Sequence, residues 1–192
     1  MEHYLASKIS TWCFKSNDSM DDKNRAAITY GIELFLDGIL KFIGIMLIAI
    51  VIGEIPGMII AIGCFSLLRF YAGGLHMQTS LGCFLSMLFV GLSAILCAKT
   101  GVVLPIYIFI ILTALEFLVV SRYAPHFTAN NPIYDGKIIK HKNTFAKLVI
   151  LIYGLLIIFL PQNSVKVLIA VPTLWETISI LPYWKKGEHA DE

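Results

Sequence analysis

Residues 69–83 read Arg-Phe-Tyr-Ala-Gly-Gly-Leu-His-Met-Gln-Thr-Ser-Leu-Gly-Cys, with apolar runs on both sides. Within that stretch lie a cation (Arg69), two adjacent glycines (Gly73 and Gly74), an imidazole (His76) and a thiol (Cys83). Groups of this kind are costly to keep beside a membrane unless something uses them. The rest of the chain reads as the scaffold that holds this segment at one face of a bilayer.

Composition supports that reading. Of 192 residues 57% are apolar and 15% charged, and the mean hydropathy is +0.77, whereas soluble domains carry about a quarter charged residues. Apolar runs at 31–53, 57–71, 79–98, 102–120, 145–160 and 164–181 are bounded by Gly, Pro, Asn and Lys. They predict an all-α, polytopic membrane helix bundle of about six transmembrane segments within residues 31–182. Residues 1–30 are expected to form an amphipathic, interfacial amino-terminal region, in which Leu5, Ile9, Trp12 and Cys13 fall at helical spacing. A second short helix is expected from Asp22 toward Arg25, and 183–192 form a charged tail. The 57–71 run rises only about 22 Å as a helix, and it is read as crossing rather than dipping in and returning.

In the first run Glu33, Asp37 and Lys41 are spaced four apart. They share a helix face that must turn away from lipid. Lys and Arg in short connections set orientation. With the amino terminus inside, eleven fall on the cytoplasmic side and two, Lys99 and Lys166, on the other. Both termini and residues 69–83 are therefore expected in the cytoplasm.

Several classes are excluded. A net charge of +2 with scattered cations does not suit nucleic acid. Four cysteines without CxxC spacing suggest neither a disulfide framework nor a zinc ribbon. The polar first thirty residues lack the apolar core of a signal peptide. No cofactor or metal is implied.

Cys83 falls in the first turns of the third helix, where free amides and the positive dipole end favour a thiolate. His76 can take the thiol proton and deliver one to a leaving amine. Seven residues of continuous helix would put their backbones about 10 Å apart, beyond the hydrogen bond the pair needs. The helix must therefore begin after His76, capped by Thr79 or Ser80. Gly73 and Gly74 suit a tight turn and the close approach of an extended peptide. Helix-start amides or the Gln78 side chain are candidate oxyanion donors. Glu33, Glu116 and Glu176 fall near cytoplasmic helix ends; ion pairs with Arg69, Arg122 or Lys41 are the expected use, and orienting the imidazole is the alternative. By residue chemistry alone the cluster fits a catalyst or a satisfied polar boundary equally well.

The pattern Arg-x3-Gly-Gly-x-His-x6-Cys, at Arg69, Gly73, Gly74, His76 and Cys83, resembles the signature of the accessory gene regulator B (AgrB) family. Tyr30, Gly31 and Glu33 before the first span, and Tyr123, Ala124, Pro125 and Pro132 after the fourth, extend the similarity. Members of that family are membrane cysteine endopeptidases that process the precursor of a cyclic autoinducing peptide in quorum sensing. The resemblance implies His76 and Cys83 as the catalytic pair, and these two alone are carried over; residue chemistry adds Arg69, Gly73, Gly74, Gln78, Ser80 and Glu33 as candidate supporting groups. It also implies an AgrD-like precursor peptide as partner, in the lipid bilayer of the cell membrane, and a homodimer, whose helix contacts Gly91 and Ser93 would suit. Residues 126–131 lack the charges that family members commonly carry there, so loop contacts with the precursor are not carried over. The competing reading is a non-catalytic membrane protein that binds or exports a peptide.

Overall fold

The computed structural model describes residues 22–74, 77, 79–125 and 136–181, with backbone alone at 22–27 and at Leu34. The apolar runs become six α-helices: α1 Asp22–Ile52, α2 Ile55–Ala72, α3 Ser80–Lys99, α4 Ile106–Tyr123, α5 Gly136–Phe159 and α6 Asn163–Ser179. The described residues are arranged in two compact units, Met1–Gly53 and Glu54–Glu192. The amphipathic segment expected before Asp22 lies outside the described residues.

The first unit is α1, 31 residues long. The separate short helix expected near Asp22 does not form. Residues 24–30 contain no Pro, and Ala26 and Ala27 are strong helix formers, so the first turns run straight into the apolar span. One turn apart on this helix, Asp37 and Lys41 form an ion pair, as their spacing predicts.

Four further crossing-length helices and α6 make up the second unit. Gly53 reaches a positive φ of 72° between α1 and α2, and Pro56 occupies the first turn of α2, where a missing N–H costs nothing. The 18-residue α2 is unbroken and rises about 27 Å, which fits a crossing rather than a dip. Pro105 stands at the N-cap of α4, so this helix starts four residues later than the apolar run at 102 suggests. The opposite correction applies to α5. It begins at Gly136, nine residues before the expected start, because residues 137–144 are mostly polar yet hold no helix breaker.

Five helices, α1 to α5, are long and apolar enough to cross a membrane. The sixth, α6, has 17 residues and carries Pro172 inside it. It lies along α2 and α3 and also touches α4 and α5. The core joins Leu68 of α2, Phe109 and Val120 of α4, Ile150 and Tyr153 of α5, and Ile169 of α6. Outward faces carry exposed apolar side chains such as Ile59, Leu85, Ile111 and Leu151, as lipid-facing surfaces require.

Two glycines set helix distances. A Cβ on Gly154 of α5 would meet Thr113 Cγ2 of α4 at 2.7 Å, and one on Gly91 of α3 would run into Met58 and Ile62 of α2. Gly91, expected to serve contact between copies of the chain, is therefore used inside it. The Ser93 hydroxyl donates to its own helix at the Val90 carbonyl. At the end away from residue 69, Lys99 pairs with Glu54 at 2.6 Å, and Asn163 Nδ2 donates to the Val102 carbonyl at 2.7 Å.

Candidate active site

At the other end of the second unit the last turn of α2 meets the last turns of α6, and α3 begins a few residues farther along the chain. Arg69, in the last turn of α2, directs Nη1 to Oε2 of Glu176 on α6 at 3.2 Å. Its guanidinium also stands 5.5 Å from the centre of the Phe65 ring, a cation–π distance. Glu176 is fully buried, and Arg69 keeps about a quarter of its side chain exposed. Of the two acidic candidates in the second unit, Glu176 is the one placed at this turn. Glu116 is buried on α4, where its Oε1 lies 3.0 Å from the Thr173 hydroxyl. Glu33 belongs to the first unit.

The chain leaves α2 through the two glycines. Gly73 N–H donates to the Arg69 carbonyl at 2.9 Å, and Gly73 and Gly74 take φ of 73° and 130°, a region that favours glycine. Space gives a second reason at Gly74. A Cβ there would lie 2.5 Å from Ser179 Oγ and 2.6 Å from Glu176 Oε1. The sequence pointed to close approach by a peptide; the structure shows close approach by the α6 carboxylate.

Seven residues beyond His76, Cys83 sits in the first turn of α3. The helix begins at Ser80, after His76, as the pairing of His76 with Cys83 requires. Thr79 is the N-cap: its Oγ1 accepts from Gly82 N–H at 3.1 Å, and its carbonyl accepts from Cys83 N–H at 3.1 Å. Those two amides are thereby occupied and cannot serve as oxyanion donors. The Cys83 thiol is free and half-buried, and its carbonyl accepts from Ser86 Oγ at 2.8 Å. Ser80 is exposed at the helix start. His76 and Gln78 lie outside the described residues.

Farther out, α5 adds a layer that sequence reasoning missed. Tyr71 stacks on Phe145 at 5.2 Å, and His141 lies 4.5 Å from the same ring. Lys142 stands 5.9 Å from the centre of the Phe70 ring. Asn143 Nδ2 donates to the Ala124 carbonyl at 2.5 Å, which ties the start of α5 to the end of α4. The early start of α5 places these groups, and no local motif marks them. The other described cysteines, Cys64 and Cys97, are free. Among the described residues no group of three or more His, Cys, Asp or Glu could hold a metal ion.

With five helices long and apolar enough to cross a membrane and apolar side chains on the outward faces, this is a multi-pass membrane protein. Residues 5–180 match the family model of accessory gene regulator B, and the chain belongs to that family. Among curated proteins it is similar to three named for their likeness to AgrB. The one from Lactiplantibacillus plantarum is 26% identical over 93% of this chain and 88% of its own length. That from Clostridium beijerinckii is 22% identical over 97% and 92%, and that from Clostridium acetobutylicum 28% over 79% and 72%. No solved structure matches the chain.

Proposed function

We propose that the chain is a membrane cysteine endopeptidase that cleaves an AgrD-like precursor peptide and promotes its cyclisation. The observation that carries this reading is the placement of Cys83. Its free, half-buried thiol stands in the first turn of a capped helix, and His76 precedes it by seven residues in the sequence. Membership of the AgrB family supports a role in processing a quorum-sensing peptide.

In this mechanism the Cys83 thiolate attacks a carbonyl of the membrane-associated precursor. His76, which took the thiol proton, returns one to the departing amine, and the carboxy-terminal fragment leaves. The amino-terminal fragment stays on Cys83 as a thioester. A thiol or hydroxyl upstream in the same fragment then attacks that thioester, frees the Cys83 sulfur and closes a thiolactone or lactone ring. Thioester exchange is near thermoneutral, so the step needs no ATP. It does need exclusion of water from the intermediate, which the apolar bundle wall provides. Both termini and the site face the cytoplasm, following the distribution of Lys and Arg, and the family resemblance favours a homodimer.

The test is intact mass of purified protein in lipid, mixed with a synthetic peptide of the precursor class. An adduct with the mass of the amino-terminal fragment on wild type, absent from Cys83→Ala and removed by hydroxylamine, is expected. A folded protein that binds the peptide without cleavage or adduct would favour the peptide-binding or export reading.

A further inference from the structure

Glu176 has one oxygen engaged and one free. Oε2 takes the Arg69 guanidinium, while Oε1 is buried with no hydrogen-bond partner and faces the Cα of Gly74 so closely that a Cβ would not fit. The nearby Ser179 hydroxyl donates to Glu176's own carbonyl at 2.8 Å. A buried carboxylate oxygen left without a donor is costly, and such a group calls for an explanation beyond packing.

The neighbouring contact supplies one. Trp175, the residue before Glu176, meets Phe89 of α3 edge-on at 5.2 Å, two turns along the helix that carries Cys83. Consecutive residues of α6 thus contact both the end of α2 and the body of α3: Glu176 meets Arg69 and closes on Gly74, and Trp175 meets Phe89. We propose that Glu176 is a positioning residue, which sets the Gly73–Gly74 turn so that the chain enters the His76 segment in register with Cys83. This rests on the peptidase reading, in which His76 activates the Cys83 thiol. Aligning reacting groups is sensitive to displacements of about 1 Å, and the carboxylate touches the backbone two residues before the base.

The experiment reads thiol activation and needs no precursor. Full-length protein in lipid nanodiscs is treated with iodoacetamide at neutral pH, and the alkylation rate of each cysteine is followed by peptide mass, with exposed Cys97 as internal ruler. Iodoacetamide consumes thiolate, so wild-type Cys83 is expected to react on the order of tenfold faster than Cys83 in His76→Ala. In Glu176→Asp, which withdraws the carboxylate from Gly74, the Cys83 rate is expected to fall toward the His76→Ala value while Cys97 is unchanged, whereas Glu176→Gln, which keeps the shape of the side chain and still accepts from Arg69, is expected to stay near wild type. Loosening of the bundle would act in the opposite sense, by exposing the half-buried thiol and raising its rate. Fast wild-type Cys83 with an unchanged or raised rate in Glu176→Asp would overturn the positioning role alone. Wild type no faster than His76→Ala would overturn the His76–Cys83 pairing itself.

Discussion

Replacing Arg69 by Met should cost more stability than replacing its partner by Gln, and removing both should cost less than removing Arg69 alone. The order follows from burial. Glu176 is fully enclosed, and its charged partner is Arg69 at 3.2 Å; Arg69→Met leaves a buried carboxylate without its cation, a change worth about 3–5 kcal/mol. Glu176→Gln leaves an amide oxygen that still accepts from a guanidinium one-quarter exposed to water, and costs about 1.5 kcal/mol, the weaker end for a hydrogen bond to a charged group. In Arg69→Met/Glu176→Gln the enclosed group is a neutral amide, so the total falls to about 2 kcal/mol. Thermal unfolding in detergent, followed by tryptophan fluorescence, reads the effect. For a chain of this size the single Arg69 variant should lose on the order of 10 °C in Tm, and the second substitution should recover part of it. A double variant less stable than Arg69→Met would show that Glu176 does not depend on Arg69, and the assignment of a buried ion pair would fail.

Three further outcomes are expected. Thr79→Ala removes the cap of α3 and should cost about 1 kcal/mol, with Thr79→Asp close to wild type in Tm. Gly91→Leu drives a side chain into Met58 and should cost about 1–3 kcal/mol, partly relieved by Met58→Ala; an unchanged Tm would refute the tight crossing of α2 and α3. In a chain whose native cysteines are replaced, a membrane-impermeant maleimide added to intact cells should label a cysteine at position 166 and not one at position 140. The reverse pattern would invert the topology.

Much of the site was legible because local rules govern it. The N-cap at Thr79 follows from a hydroxyl residue at the head of an apolar run, and the first-turn place of Cys83 follows from that cap. The pairing of Asp37 with Lys41 needs only helical spacing. What the sequence could not rank was the partner of Arg69. Within the second unit Glu116 and Glu176 share chemistry, and 107 residues separate the members of the observed pair, so packing of α6 against α2 decided between them. The same packing gave Gly74 its steric reason. Helix ends without strong punctuation were misplaced: α1 absorbs the polar residues from Asp22, and α5 absorbs 136–144, because polarity marks where water is and not where a helix stops.

The order in which this pair is made has a consequence for biogenesis. Arg69 emerges from the ribosome 107 residues ahead of Glu176, which at about 5–20 residues per second is a delay of roughly 5–20 s. During that interval the α2 hairpin must enter the bilayer with its cation held by water or lipid headgroups. The turn leading toward Cys83 has no partner from α6 until that helix arrives. On the proposed peptidase reading, nascent chains halted before residue 176 should therefore hold an inserted but idle thiol, so that peptide processing begins only after the bundle has closed.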